Sequence, residues 1–434
     1  MIIFFQFITI IYQETKMIQL HEFVIQELQG LLNKNDFNNV LNTTIQLKDY
    51  KKKYFYWTIN MKRCRFDYIK NLIDSRIHNV NKQLNIQIKY NWGFITNNFI
   101  KNLGNIHTLN VSMCKQLTDE SVQHLGNVTN LNLSYCSRIT NDGIKHLGNV
   151  HTLDLCWCDK ITDEGIKYLG NVHTLDLSYC HNLTSDGIRH LGKVHKLFLT
   201  DVKNIIDVSY LANVNFLYLQ FCNKLTNITS LGNVHTLNLQ CTNVSDDDLK
   251  HLGGVYRLSL CGTKITKEGI KYLGGVHTLD VSDCKQLSDD CLRYIGNVHT
   301  LNLKFCNITN HGLIYIGKVH SLNISYCKNI TDAGIKIIAK RGNIHTLRLN
   351  GHTNITDEGI KCLGILGNLH TLELAYCSQL TDEGVKHLGN LHSFCLQSCI
   401  NITNNGLGFL GKVHKLNIFG RKKIIGEDKR VNHF

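Results

Sequence analysis

Proline is absent from all 434 residues. With an abundance of Asn, Ile and Lys, that absence reads as an A/T-rich coding bias, which concerns source and not activity. Also missing is a run long enough to cross a bilayer. The apolar segment 2–11 is about half the ~20 residues required, and it has neither a basic leading region nor a small-residue cleavage site. No phosphate-cradling glycine loop, nucleophile elbow or H-E-x-x-H occurs, and the outward Ser and Thr have no buried base beside them, which argues against an enzyme. The glycines are assigned to turns and helix ends. Seventeen cysteines are too dilute for a disulfide-stapled scaffold. A reducing compartment follows, the cytoplasm first and the nucleus second.

Charge is not balanced. Forty-seven basic against 34 acidic residues give a net +13, concentrated in part at Lys51, Lys52, Lys53, Lys62, Arg63, Arg65 and in the tail at Arg421, Lys422, Lys423, Lys429 and Arg430. Such runs are more often a solvated face than a nucleic-acid footprint. Neither nucleic acid nor membrane is expected as a partner.

What is present is one phrase written fifteen times, close to N-V-H-T-L-x-L-S-Y-C-x-x-I-T-D-E-G-I-K-x-L-G. Its leading leucines stand at 109, 131, 153, 175, 197, 217, 237, 258, 279, 301, 322, 347, 372 and 416, with Phe394 in the remaining place, 20 to 25 residues apart. A unit so short cannot bury its own apolar face, so the copies must stack into a solenoid.

In the copy counted from Ile106 as position 1, residues His107 to Ser112 alternate with period two, a half-buried strand with Leu109 and Val111 inward. Cys114 at position 9 leaves the strand and Leu117 returns to the core. Thr118-Asp119-Glu120 reads as an N-cap followed by two carboxylates that suit the free amides of a first helical turn. Val122 and Leu125 face inward, and Gly126 is expected to end the helix in a left-handed conformation. Strands about 4.8 Å apart opposite bulkier helices bend the stack toward the strands, over roughly 70 Å for the array. The outward positions 3, 5, 7 and 8 then form one continuous wall.

These residues resemble the leucine-rich repeat, and the near-regular Cys followed by L/I-T-D-E/D-G resembles its cysteine-containing subfamily, over residues 104 to about 420. The resemblance implies an α/β solenoid, a horseshoe with about 15 short parallel strands on the concave face and short helices on the convex face, preceded by a small all-α head. The family repeat is usually some four residues longer. Only the copies led by Leu347 and Leu372 are expected to approach that length, with helices of one and a half to two turns elsewhere. Residues 1–16 read as an upstream extension before Met17, 17–60 as the head, 61–103 as linker and cap with Trp92 and Phe94 covering the core, 104–420 as the solenoid, and 421–434 as a basic tail.

Ten cysteines recur at position 9 and suit a packed turn, with thiols donating weakly to backbone carbonyls. Cys156-Trp157-Cys158 is not a metal pair, because alternate strand residues face opposite ways; no metal and no cofactor are expected. Histidine takes position 2 in twelve copies, His107, His151, His173, His195, His235, His277, His299, His320, His345, His370, His392 and His414. Their stacking predicts an edge ladder, read first as repeat duplication and second as a pH sensor. Aromatics recur at position 8, among them Tyr135, Trp157, Tyr179 and Phe221, and Phe198 and Tyr218 stand at position 5. With Asp154 and Asp176 beside them they form the candidate concave surface for a protein partner; the other reading tucks position 8 into the core. No small-molecule substrate is expected.

In the head, Leu20, Val24, Ile25, Leu28, Leu32, Asp36 and Phe37 fall without a gap on the spaced hydrophobic and L-x-x-x-D-L positions of an F-box, which this segment resembles. His21 stands where that family has proline, and Phe23 where it usually has an acid. The resemblance implies a Skp-type adaptor and a cullin as partners, and a non-catalytic substrate receptor of an SCF-like ubiquitin ligase. The alternative is a stand-alone binding scaffold or inhibitor whose head is only a cap. A ligase that itself forms a thioester would need a further catalytic domain.

Overall fold

The computed structural model describes the backbone of residues 57–60, 84–87 and 97–101, and residues 103–341 and 343–419. The rest of the expected head, the candidate cap residues Trp92 and Phe94 and the tail 421–434 lie outside the described residues. Two compact units divide the chain, residues 1–202 and 203–434.

In the first unit the strands Trp57–Asn60, Leu84–Gln87, Thr108–Asn110, Asn130–Asn132, Thr152–Asp154, Thr174–Asp176 and Lys196–Phe198 pair in chain order, all parallel. The sheet of this unit thus starts before residue 104. Trp57–Asn60, placed with an all-helical head on sequence grounds, is a strand paired to Leu84–Gln87. The strand Leu84–Gln87, ahead of the first counted repeat, is the partner that allows it to be one.

The second unit runs parallel in the same way through Phe216–Tyr218, Thr236–Asn238, Arg257–Ser259, Thr278–Asp280, Thr300–Asn302, Ser321–Asn323, Thr346–Arg348, Thr371–Glu373, Ser393–Cys395 and Lys415–Asn417. Together the units hold the fifteen repeat strands, each three residues long. Their middle residue, Leu or Phe394, is at most 3 % exposed. Leu109, Val111, Cys114, Leu117, Val122 and Leu125, all at 0 % exposure, supply the buried face of one copy, and Val128, 1 % exposed, opens the next. Alternation accounts for Leu109 and Val111 and a helical stripe for Val122 and Leu125, while Cys114 and Leu117 are turned inward between strand and helix, where Cys114 N bonds Val111 O and Leu117 N bonds Cys114 O. Among the described residues no helix is long and apolar enough to cross a membrane.

The helices are shorter than expected. Asp119–Val122, Asn141–Ile144 and Asp163–Ile166 are single turns, and Ser209–Leu211, Asp248–His251 and Gly312–Tyr315 are 3-10 turns. The longest, Asp332–Arg341, belongs to the copy led by Leu322, and the next copy extends Asp357–Lys361 with the 3-10 turn Cys362–Ile365. The added residues therefore lie behind Leu322 and Leu347, not Leu347 and Leu372; the copy led by Leu372 has only the turn Asp382–Val385. A 25-residue spacing lengthens the copy that precedes it.

The Thr-Asp-Glu-Gly motif is an inter-repeat brace as much as a cap. Asp119 accepts from Thr140 N at 2.8 Å and from Thr140 Oγ1 at 2.6 Å. Asp163 holds Thr184 in the same way, at 2.9 and 2.6 Å, and Asp289, Asp357 and Asp382 repeat it in the second unit. Because the threonine hydroxyl gives its proton to the carboxylate, its lone pair is left to accept from the amide two residues on, as Thr184 does from Asp186. Where Asn replaces Asp, the amide donates instead: Asn141 Nδ2 bonds Thr162 Oγ1 at 2.8 Å, and Thr162 makes no side-chain cap. The second acid of the motif stays at the surface, paired with lysine three residues on, as in Asp142–Lys145 and Glu268–Lys271. Such exposed pairs contribute little.

The motif glycine is neither a turn nor a helix end. A Cβ on Gly187 would lie 2.2 Å from Asp163 Oδ1 and 2.9 Å from its Cα. Gly126 is not left-handed either; among the described residues the only glycines with positive φ are Gly262 and Gly351. Its Cβ would meet His146 O at 2.5 Å, so close backbone approach is what selects it. Gly187→Ala should cost about 1–3 kcal/mol and Asp163→Ala about 1–3 kcal/mol. The double variant should lose clearly less than their sum, since removing the carboxylate also removes part of the collision. Urea unfolding of the full chain by circular dichroism checks this; strict additivity would refute the contact.

Candidate protein-binding surface

Many of the strands end in two devices. The position-5 side chain turns back on the chain: Asp154 Oδ1 accepts from Cys156 N at 3.0 Å, Asp176 Oδ1 from Ser178 N at 2.8 Å, and Asn132 Oδ1 from Ser134 N at 2.9 Å. Position 8 then takes a left-handed backbone, with φ of 60° at Tyr135 and Trp157, 62° at Tyr179 and 61° at Phe221. Bulky residues are rarely held there. The conformation is fixed by amides that reach the next copy, Tyr135 N to Cys156 O at 2.8 Å, Trp157 N to Ser178 O at 3.0 Å and Tyr179 N to Thr200 O at 2.8 Å.

That turn puts the aromatic rings at the surface and not in the core. In the first unit Tyr135, 41 % exposed, stacks on Trp157 at 5.8 Å between ring centres, and Trp157 on Tyr179 at 4.6 Å and 9°. His181 meets both inner rings edge-on. Asp154 and Asp176 face one another in register, and Asp176 lies opposite Phe198, whose ring sits under Lys196 Nζ at 4.9 Å. Six of the candidate residues, Tyr135, Asp154, Trp157, Asp176, Tyr179 and Phe198, are thus gathered on one strand-side surface. Tyr218 and Phe221 belong to the second unit, where Tyr218 pairs with Asn238 and Phe221 N donates to Gln240 O. At Phe198 the position-5 acceptor is lost, and Ser178 Oγ takes Thr200 N in its place. Arg348 repeats the exchange with Ser325 Oγ and Asn350 N.

The head residues Leu20, Val24, Ile25, Leu28, Leu32, Asp36 and Phe37 lie outside the described residues.

Burial governs the electrostatics of the surface. Desolvation raises Asp154 to about 6, aided by Asp176, against the bonds from Cys156 N and Asn132 Nδ2. Asp176 is raised by burial too. Donor atoms of Asp154, Cys156 and Asp176 all lie within 4.8 Å of one another. Burial drives the Cys156 thiol to about 12, so it is not a ready thiolate ligand.

Beneath this surface lies a row of donors. Cys136, Cys158 and Cys180 give their thiol protons to Val111 O, Leu133 O and Leu155 O, at 3.4, 3.3 and 3.2 Å. Desolvation lifts Cys136 to about 12, which leaves it an inert thiol. Sequence reasoning missed His352, which occupies the cysteine position in its copy, is 2 % exposed and donates Nε2–H to Ile324 O at 2.8 Å. Register was the signal: counted from Leu347, His352 falls on position 9.

A family model described as Leucine Rich repeat matches residues 149–170, 297–317, 318–339, 343–364 and 368–389. No curated protein matches the sequence. Among solved structures, an internalin of Listeria monocytogenes is 22 % identical with a TM-score of 0.49, over 74 % of this chain and 88 % of its own. A leucine-rich repeat protein of Leptospira interrogans is 18 % identical at 0.46, over 76 % and 100 %. The Rad7–Elc1 complex of yeast gives 17 % at 0.41, over 86 % and 95 %.

Asp154 holds its proton more tightly in the fold than in the unfolded chain. Its contribution to stability is complete below its ordinary value of 3.8 and lost as pH rises through about 6. Asp154→Asn, whose side chain already serves at Asn110 and Asn132, should therefore raise stability at pH 7.5 by about 1–2 kcal/mol and give no advantage at pH 4. Urea titrations at the two pH values check it; an equal effect at both would show that the carboxylate is not desolvated. The five matched segments are leucine-rich repeats by that model, and the remaining copies share their strand-and-turn geometry.

Proposed function

We propose that this chain is the non-catalytic substrate receptor of a cullin-type, SCF-like ubiquitin ligase. The repeats hold a protein target on the strand side of the first unit, and residues 20–37 bind a Skp-type adaptor. The observation that carries the target site is the stack Tyr135–Trp157–Tyr179: three rings, held at the surface by a backbone that few bulky residues adopt, beside two desolvated carboxylates. Aromatics fixed in this way offer a partner large contact area at small entropic cost. An Arg or Lys from the partner would relieve the carboxylates by pairing with them. For the adaptor the support is the F-box resemblance of Leu20, Val24, Ile25, Leu28, Leu32, Asp36 and Phe37, joined to a repeat array.

Affinity purification of the full chain tests both halves. Adaptor and cullin should co-purify and be lost on Leu28→Asp; no adaptor at any expression level would leave a stand-alone scaffold. Trp157→Ala with Tyr179→Ala should reduce target capture more than tenfold, as loss of two hot-spot aromatics does, while the adaptor stays bound. Unchanged capture would remove the aromatic surface from the reading.

A further inference from the structure

The position-2 histidines do stack. In the second unit seven consecutive copies, His277, His299, His320, His345, His370, His392 and His414, place their rings 4.4 to 4.9 Å apart with interplanar angles of 13° to 26°. The backbone sets the spacing, since His345 N, His370 N and His392 N bond the carbonyls of His320, His345 and His370 at 2.9, 2.9 and 3.0 Å. None of the seven is buried. A cavity of 840 Å³ opens along the last five, with Asn343 and Asn390 in its wall.

We propose that neighbouring rings of this ladder chelate borderline divalent transition-metal ions of the zinc class, one ion between two Nε2 atoms, with water completing the shell.

Three features support it. Nδ1 faces the next residue's hydroxyl, at 3.3 Å in His277–Thr278 and His299–Thr300 and 3.4 Å in His370–Thr371. An Nδ1–H donated there leaves the Nε2 lone pair outward, the tautomer of a metal ligand. Next, an ion about 2.1 Å from each nitrogen needs the two no more than about 4 Å apart. Ring centres 4.4 Å apart, as in His370–His392, bring two imidazoles onto the scale of that span, and turning their edges toward a shared ion is a rotation about χ2, a soft torsion. Finally, desolvation and then the neighbouring rings lower His345, and the same order holds at His392. Neutral imidazole, the ligating form, is thereby favoured. Stacking alone would be served by any aromatic, and Tyr256 does so between His235 and His277. From His277 onward no copy uses one.

Zinc is the probe, on the untagged full-length chain by titration calorimetry. Seven rings form three separate pairs, 277/299, 320/345 and 370/392, with His414 left over. His299→Gln with His345→Gln and His392→Gln leaves no adjacent pair and should abolish three equivalents. The control His124→Gln, His251→Gln and His387→Gln removes as many exposed histidines away from the ladder and should keep them. Equal losses in the two variants, or unchanged binding in the ladder variant, would overturn the proposal. If the ladder variant does not fold, copper(II) on the wild-type chain decides by electron paramagnetic resonance: coupling to two imidazole nitrogens per ion supports pairing, and coupling to one overturns it.

Discussion

The carboxylate that opens one helical turn and closes on the threonine of the next copy is the contact on which each unit depends. A turn of four residues, such as Asp163–Ile166, has almost no helical hydrogen bonding of its own to hold it. It is held by its neighbours: Asp163 satisfies Thr184 N, frees Thr184 Oγ1 to cap the following turn, and requires Gly187 because no Cβ fits against it. Donor, cap and close approach come from three residues of one motif. The short helices are therefore a product of stacking and not a precondition for it.

On the strand side the same economy produces the surface. An Asx side chain at position 5 folds back on its own chain, and position 8 turns left-handed as its amide reaches the next copy. Beneath, a thiol proton reaches the preceding carbonyl. With these main-chain groups at the corner occupied, side chains at position 8 are free to vary and point outward, which is how rings as large as Trp157 come to be stacked where a core position would reject them. The upward shifts of Asp154 and Asp176 mark this corner as dry enough to disfavour a charged carboxylate.

Much of this was legible in the sequence. Leu109, Val111, Val122 and Leu125 are buried as their spacing requires, because periods of two and of about 3.6 leave each apolar residue one direction to face, and Cys114 and Leu117 are buried where the chain turns between strand and helix. The repeats could be counted and the parallel strands inferred, because a short unit with one apolar face has no other place to bury it. Less legible were Thr118-Asp119-Glu120 and Gly126, whose local propensities suggest a cap and a left-handed end. Propensity describes a residue within its own segment, whereas Asp119 bonds 21 residues away and Gly126 is selected by the carbonyl of His146.

The sequence by itself determined the periodicity, the inward set and the parallel order, since all three follow from where apolar side chains recur along the chain. Tertiary structure alone decided what the polar residues do: that Asp163 braces, that His352 can replace a cysteine, that Trp157 stacks at the surface and that seven histidines lie in van der Waals register. Those roles depend on atoms some 20 to 28 residues distant that come within 3 to 5 Å only when the copies stack, and no local pattern records a distance of that kind.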